Sequence, residues 1–499
     1  MIPASHALRN NGPYLLAFFA ALVMGVTAAT SQPIVSVLFA GALASLFLIS
    51  QPIPLLWATL VITLVIAGVL QYFVPTLDKI WWAAYGMGAM LFAPAIMAKI
   101  LNKDRQPALS LSPTLLAMIL FVLIALFTTL INRSPVWQVV LAMKSLFMLA
   151  GVWAALAILP ISKDVMRRWL LGFVVIGLIQ WLPVIYQYLF IRPTRLSRGL
   201  GTIEASDSVV GTFGGSMESG GLTAVLAAYL VMLIIFMLAY YRNHLIKRGT
   251  LLLCLLFLGV PLLLIEAKVI FIYLPVCLFI LYKDVIRRRP FGFIVGSLAV
   301  ITLLGSVILA YQTLHWSASG RSLADNVKAL SSYSFEKQLG PAAREAGIMT
   351  RREALDFWWD RHSIKDPVKM FMGHGLGASR TQGLGTGKVA AQYFPRQIDL
   401  TGLTSLLWDT GILGTAAFLM ILIAAYRMAG KLAASPHSGP WENSLARGLQ
   451  ACTPIFLISL FYRADIPYTA STIFLFMVML GLIDWLRRQE AMPSSHTNI

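Results

Sequence analysis

The stretch from Gly220 to Tyr241 reads GGLTAVLAAYLVMLIIFMLAYY, and no residue in it carries a charge. A transmembrane helix needs roughly 20 mostly apolar residues to cross about 30 Å of hydrocarbon, so this stretch is long enough to span a bilayer. Because the run is continuously apolar instead of alternating, it predicts a helix and not a barrel strand. Similar segments recur along the chain and account for more than half of it.

The composition of the 499 residues agrees with a chain that lies in a membrane. It is 58% hydrophobic and 12% charged, with a mean hydropathy of +0.77, which excludes a soluble globular protein. We therefore predict an all-α, polytopic integral membrane protein that forms a single membrane domain over residues 1–499. The fourteen predicted spans are 13–30, 33–50, 54–73, 80–100, 113–131, 136–159, 168–190, 220–241, 250–265, 267–282, 292–312, 401–426, 446–463 and 468–486.

The basic residues of the short connections predict the orientation, because such residues stay on the cytoplasmic side. Alternate connections hold 19 lysines and arginines on one face against 4 on the other, which predicts both termini in the cytoplasm. Much of the net charge of +18 is then a topology signal, so we expect no nucleic-acid partner. The apolar run after Arg9 is followed by no convincing cleavage site and is interpreted as an uncleaved first span.

Two long segments then fall outside the membrane, on the extracytoplasmic side: 191–219, and the large loop 313–400 between the eleventh and twelfth spans. In the large loop, Thr350 and Glu353 form a capping-box pattern that predicts a helix. Trp358 and Trp359 favour a helix at the membrane interface, and a packed lid helix is the alternative. The glycines of Gly373 to Gly377 indicate an anion-binding nest or a plain turn.

Charged residues of the shorter segment and of the spans supply further candidates. Three arginines at spacing three, Arg192, Arg195 and Arg198, indicate a clamp for a pyrophosphate or a basic collar on a loop. Lys144 and Asp409 each lie about eight residues into a span, roughly 12 Å deep at 1.5 Å per residue, which permits an ion pair. The three cysteines lack metal-ligand spacing, so we expect no metal site.

In the order of its motifs the chain resembles the O-antigen ligases and Wzy-type polysaccharide polymerases of bacteria. The resemblance rests on Gly211-Thr212-Phe213 before a span, Lys268 in a tight hairpin, and Arg352 ahead of a tryptophan-containing helix. It continues through Gly373 to Gly377 and the Asp409-Thr410-Gly411-Ile412-Leu413-Gly414 run that enters a later span. It covers roughly 192–414. The family commonly has a His-Asn pair where this chain has Asp399-Leu400, which favours a polymerase over a ligase.

The resemblance implies a glycosyltransferase of the bacterial inner membrane that uses undecaprenyl-diphosphate-linked oligosaccharide, without a metal or other cofactor. A flippase and a chain-length regulator are its implied companions, besides the lipid bilayer. Fixed cations lower the barrier to loss of a diphosphate leaving group, and the candidates for this role are Arg192, Arg195, Arg198, Lys268, Arg352 and Arg380. The acceptor hydroxyl needs a base, for which the candidates are Asp399, then Glu218, then Glu266.

Other functions stay open at this point. A transporter or flippase of a lipid-linked glycan would suit fourteen helices with intramembrane charge equally well, although transporters often carry internal repeats and none is apparent here. A glycan polymerase of the shape-and-division class would also use a lipid-diphosphate donor, but it usually has fewer spans. A structural scaffold would leave the arginine-rich loops unexplained.

Overall fold

The computed structural model describes residues 48–101, 112–197, 207–216, 220–288, 347, 349–381 and 386–491, with isolated residues between 291 and 306. Apart from one pair of two-residue strands, β1 (Gly215–Ser216) and β2 (Gly220–Gly221), the elements of these residues are helices. The helices of the first half are α1 Pro52–Phe73, α2 Trp81–Leu101, α3 Pro113–Ile131, α4 Val136–Ile158, α5 Lys163–Ser197, α6 Thr223–Arg242, α7 Arg248–Leu264 and α8 Ile270–Arg288. Those of the second half are α9 Arg351–His362, α10 Pro367–Met372, α11 Lys388–Tyr393, α12 Gly402–Ala433, α13 Pro440–Tyr462, α14 Asp465–Tyr468 and α15 Ala470–Ala491.

Nine of the described helices, α1 to α6, α12, α13 and α15, are long and apolar enough to cross a membrane. The predicted all-α class and polytopic membrane character are therefore confirmed for the described part of the chain. Eleven of the predicted spans fall on described helices, although α7 has only 17 residues and α8 carries several charges near its end. The predicted spans 13–30, 33–50 and 292–312 lie mostly or wholly outside the described residues.

Two helices, α6 and α15, form the centre of the bundle. Nearly every residue of both is buried, as expected for helices that are apolar on all sides. Helix α12 packs against α13 and α3, and α15 packs against α4. The chain around them forms one large hydrophobic core.

A second, smaller core lies where the segment before α12 folds back on that helix. It joins Trp358 of α9 and Val389 of α11 to Trp408 of α12. We call the end of the bundle that carries this segment, together with the start of α6 and the α7–α8 and α13–α15 connections, the loop-bearing end.

Helix α9 begins at the predicted capping box. The Glu353 amide donates to the Thr350 hydroxyl over 3.0 Å, and the Thr350 amide donates to the Glu353 carboxylate over 3.4 Å. Trp358 is 4% exposed and stacks on His362, whereas Trp359 is 54% exposed. The interface prediction is therefore wrong for Trp358, which packs as the lid alternative requires, because the helix turns this face toward Trp408.

Candidate functional site

A cavity of about 650 Å³ lies at the loop-bearing end. Four residues that the sequence singled out line it together: Glu266, Lys268, Arg380 and Asp399. Glu266 and Lys268 come from the α7–α8 connection, Arg380 follows the glycine-rich segment, and Asp399 stands just before α12. The fold therefore brings to one cavity residues that are far apart in the chain.

The walls of this cavity carry both signs of charge. Lys268 Nζ lies 3.3 Å from Glu266 Oε1, and Arg463 Nε lies 3.6 Å from Asp465 Oδ1. The basic side chains are Lys268, Arg351, Arg380 and Arg463, and the acidic ones are Asp207, Glu266, Asp399 and Asp465. The cavity is thus a mixed site, in which cations suited to an anionic group stand beside carboxylates suited to proton transfer.

Two of the arginines lie over tyrosine rings that face the cavity. Arg351 sits at the first position of α9, donates from Nε to the Tyr462 carbonyl over 2.7 Å, and lies 4.5 Å from the centre of the Tyr462 ring. Arg380 lies 5.3 Å from the centre of the Tyr468 ring. Stacking of this kind holds the planar guanidinium and leaves its in-plane donors directed away from the ring.

Asp399 is a buried carboxylate, 6% exposed, with specific partners. The Thr381 amide donates to Oδ2 over 3.0 Å, and the Thr381 hydroxyl donates to Oδ1. Burial raises the pKa of Asp399 above its ordinary range, although the bonds from Thr381 and the nearby Arg380 act in the opposite direction. A carboxyl group with a raised pKa in a cavity is the type of group that serves as a general base.

Three further arginine candidates, Arg192, Arg195 and Arg352, do not line this cavity. Arg352 is not among the lining residues; its side chain is 52% exposed and lies 3.8 Å from Asp356. Arg192 lies over the Tyr188 ring at 4.9 Å, and Arg195 is 5% exposed in the last described turns of α5. Arg198 and Glu218 lie outside the described residues.

The predicted ion pair between Lys144 and Asp409 does not form. Lys144 Nζ lies 4.2 Å from the centre of the Trp82 ring and 4.9 Å from that of Tyr85. The reason is that Asp409 has other partners: its two carboxylate oxygens accept from the Gly377 amide over 2.7 Å and the Ser379 amide over 2.8 Å. Equal depth in the sequence did not bring the two groups together.

The glycine-rich segment is an anion nest for a carboxylate of the protein itself. Gly373, Gly375 and Gly377 all have positive φ. The Gly377 and Ser379 amides point at the carboxylate of Asp409, in the N-terminal part of α12. The Gly375 amide also donates to the Asp409 carbonyl over 2.8 Å. The nest prediction is thus confirmed in geometry, but Asp409 fills the nest, so an external phosphate would have to bind elsewhere.

The Gly211-Thr212-Phe213 element is held inside the bundle by two glutamines of α5. Gln180 accepts from the Thr212 amide over 3.0 Å, and Gln187 accepts from the Gly211 amide over 2.7 Å. Phe213 is fully buried. This arrangement anchors the chain just after Asp207, which lines the cavity.

Sequence reasoning missed several residues of the cavity. The sequence analysis selects Arg352 and not its neighbour Arg351, and it selects neither Arg463 nor Asp465, although Arg351, Arg463 and Asp465 all line the cavity. The sequence does hold one indication for Arg463 and Asp465, because the α13–α15 connection is predicted on the same side of the membrane as the Glu266–Lys268 hairpin. Tyr462 and Tyr468 had no signal that separated them from other tyrosines near helix ends.

Within the ranges that the structure describes, no group of three or more His, Cys, Asp or Glu side chains could hold a metal ion. Neither a family model nor a curated protein matches this chain. The resemblance to O-antigen ligases and polysaccharide polymerases therefore rests on the sequence motifs alone.

Proposed function

We propose that this protein is a membrane glycosyltransferase that moves a glycan from an undecaprenyl-diphosphate-linked oligosaccharide, the donor, to an acceptor hydroxyl. One observation carries the proposal: Lys268, Arg380 and Asp399, chosen from the sequence as diphosphate and base candidates, line the same cavity. Arg351 joins them there in place of Arg352. A donor in this cavity would contact several cationic side chains as well as a carboxylate.

The proposed setting is the bacterial inner membrane, with fourteen spans and both termini in the cytoplasm. In this topology the loop-bearing end, which includes the described part of the large loop 313–400, faces the extracytoplasmic side. The support is the excess of lysine and arginine in the alternate short connections, 19 against 4. The lipid tail of a donor would then lie in the bilayer while its diphosphate reaches the cavity at the rim of the bundle.

The proposed step is a displacement at the anomeric carbon of the donor glycan. The acceptor oxygen forms a bond to this carbon, the bond from the carbon to the diphosphate oxygen breaks, and its electron pair leaves with the lipid diphosphate. The hydroxyl proton passes to the Asp399 carboxylate and then to solvent. Glu266, the third candidate base, also lines the cavity, but it is paired with Lys268 at 3.3 Å.

The roles of the cations follow from where charge develops. Negative charge grows on the diphosphate as the glycosidic bond breaks, so donors fixed near it stabilise the transition state more than the ground state. Arg351 and Arg380 present planar forks that match phosphate oxygens, and Lys268 supplies a point charge. Arg463 borders the same space.

We propose a polymerase of exopolysaccharide, capsule or O-antigen in preference to a ligase. The support is the Asp399-Leu400 pair at the position where the resembled family commonly has His-Asn. A polymerase would work with a flippase that delivers the lipid-linked units and with a chain-length regulator.

The test uses the full-length protein, purified and reconstituted in liposomes with a lipid-diphosphate oligosaccharide. The proposal expects longer glycan chains, with release of lipid diphosphate, and a loss of both products in the Lys268→Met variant. Movement of intact donor across the bilayer with no elongation would reject the enzyme and support the flippase alternative.

A further inference from the structure

A second cavity of about 370 Å³ lies between the α3–α4 turn and helices α10 and α11. None of its lining residues also lines the first cavity. The residues around it are Ile131, Asn132, Ser134, Pro135, Gln138, Lys369, His374, Lys388, Val389 and Gln392.

The lining of this second cavity is basic and polar, with no acidic residue in it. Lys369 and Lys388 supply two positive charges, and neither forms a salt bridge with a described carboxylate. The nearest acid in the chain, Asp366, uses its carboxylate to accept from the Lys369 amide over 3.0 Å and so caps α10.

Side-chain hydrogen bonds to backbone groups fix the walls of the cavity. Asn132 donates to the Gly373 carbonyl over 3.2 Å, and Lys369 Nζ contacts the Asn132 side-chain oxygen. Gln138 donates to the Leu376 carbonyl over 2.8 Å and accepts from the Lys388 amide over 3.0 Å. Lys369 is therefore held through its ammonium group at the α3–α4 turn, and Lys388, whose side chain is exposed, is held through its backbone amide by α4.

His374 reaches this cavity as one half of a histidine pair. His362 Nδ1 lies 2.7 Å from the Trp358 carbonyl, which can only accept, so this nitrogen carries the proton. His362 Nε2 is then the acceptor for the His374 Nε2 proton across 2.8 Å when both rings are neutral. Burial, the second histidine and Lys369 lower the pKa of His374 to about 4, and Asp366 acts in the opposite direction. His374 is thus neutral near pH 7 and contributes a polar group, not a third positive charge, to the lining.

We infer that this second cavity binds a phosphate-bearing anion through Lys369 and Lys388. Two cations without an opposing carboxylate in the lining, in a pocket braced by amide side chains, have the chemistry that holds a phosphate or diphosphate group. The inference does not rest on the proposed glycosyltransferase activity, because the two cavities share no lining residue. The anion has two sources with the same chemistry, a soluble phosphate or an anionic lipid headgroup.

The experiment titrates inorganic pyrophosphate into the full-length protein in detergent at fixed ionic strength, with affinity measured by calorimetry. Loss of one charge-assisted contact is expected to weaken binding about tenfold in Lys369→Met and in Lys388→Met. Lys365→Met, an exposed lysine of the same segment outside the cavity, should stay within about twofold of the wild type. Unchanged thermal melting would show that the variants fold.

A second arm identifies the source of the anion. The variants are placed in nanodiscs that contain phosphatidylglycerol or only phosphatidylcholine, and the lipid retained on purification is counted by mass spectrometry. A lysine-dependent loss of retained phosphatidylglycerol supports a headgroup, and a lysine-dependent loss of pyrophosphate binding supports a soluble anion. If neither probe responds to Lys369→Met or Lys388→Met, or if pyrophosphate binding depends only on Arg351 of the first cavity, the inference is overturned.

Discussion

Two neighbouring arginines at the start of α9 differ in what their guanidiniums contact. Arg351 donates to the Tyr462 carbonyl and lines the first cavity, whereas Arg352 faces Asp356 at the surface. In liposomes we expect Arg351→Met to lower kcat/KM for the lipid-diphosphate donor about tenfold to hundredfold, because one charge-assisted contact is lost. Arg352→Met is the matched control and should stay within about twofold. Equal losses in the two variants would contradict the assignment of Arg351 to the site.

Asp399, as the proposed general base, should control how activity depends on pH. Since burial raises the pKa of this carboxyl, and since a base must be deprotonated, activity should fall with decreasing pH at a value above the ordinary range of aspartic acid. Asp399→Asn should lower kcat about 10² to 10⁴-fold and remove this acid limb from the remaining activity. Asp360→Asn, an exposed carboxylate of α9, serves as the control. A fully active Asp399→Asn variant would assign the base elsewhere, with Glu266 as the next to test.

Residue choice within the site could be predicted only where the chain left few alternatives. Lys268 and Asp399 were predicted through the family resemblance, which has a basic residue in the tight hairpin and a His-Asn pair at the position of Asp399-Leu400. Successive residues of a helix point about 100° apart, so the choice between Arg351 and Arg352 depended on the rotation of α9 about its axis. The capping box fixes where α9 begins, but the packing of Trp358 and His362 in the small core with Trp408 fixes its rotation, and these contacts are not visible in the sequence.

At the scale of elements, hydropathy located the helices well and their ends less well. The predicted span 113–131 matches α3, whereas the predicted 401–426 is observed as Gly402–Ala433 and 168–190 as Lys163–Ser197. The reason is that hydropathy marks the apolar part of a helix, while backbone hydrogen bonds continue through charged residues until a cap ends it. Caps such as Ser162 and Thr401 explain the observed starts.

The contact between the glycine-rich segment and α12 was beyond sequence reasoning, because it depends on a break inside a helix. Gly411 has a φ of +65° within α12, and the backbone of Gly373 approaches it closely. The break lets the Asp409 carboxylate meet the Gly377 and Ser379 amides. The sequence indicated Asp409 and the glycine nest as two separate features and did not predict the contact between them.

The close approach of the glycine-rich segment to Gly411 should leave no room for a side chain at this position. A Cβ at Gly411 would lie 2.4 Å from the Phe371 carbonyl oxygen, and an alanine there would also adopt a positive φ. Gly411→Ala should therefore destabilise the protein by roughly 1–3 kcal/mol, measured as a lower melting temperature in detergent. Gly259→Ala is the control, since its Cβ would meet nothing within 4 Å and alanine favours a helix. A melting temperature for Gly411→Ala equal to that of the control would argue against the close approach.

For the whole molecule, the proposed topology places the loop-bearing end on the outer side of the membrane. Ile364, 93% exposed, lies in the segment before α12, and Asp164 is exposed in the first turn of α5 at a predicted cytoplasmic connection. The three native cysteines are buried, so their own reaction with the maleimide should be low. In spheroplasts, an impermeant maleimide should label Ile364→Cys, and it should label Asp164→Cys only after lysis. The reverse pattern would invert the proposed topology.

The proposed function requires that the cavity lined by Lys268, Arg351, Arg380 and Asp399 holds the diphosphate of a lipid-linked donor. A cryo-electron microscopy structure of the full-length protein with a non-hydrolysable lipid-diphosphate donor in a nanodisc tests it most directly. We expect diphosphate density within hydrogen-bond distance of Arg351 and Arg380, with the anomeric carbon on the Asp399 side. Diphosphate density in another part of the molecule, with this cavity occupied only by solvent, would contradict it.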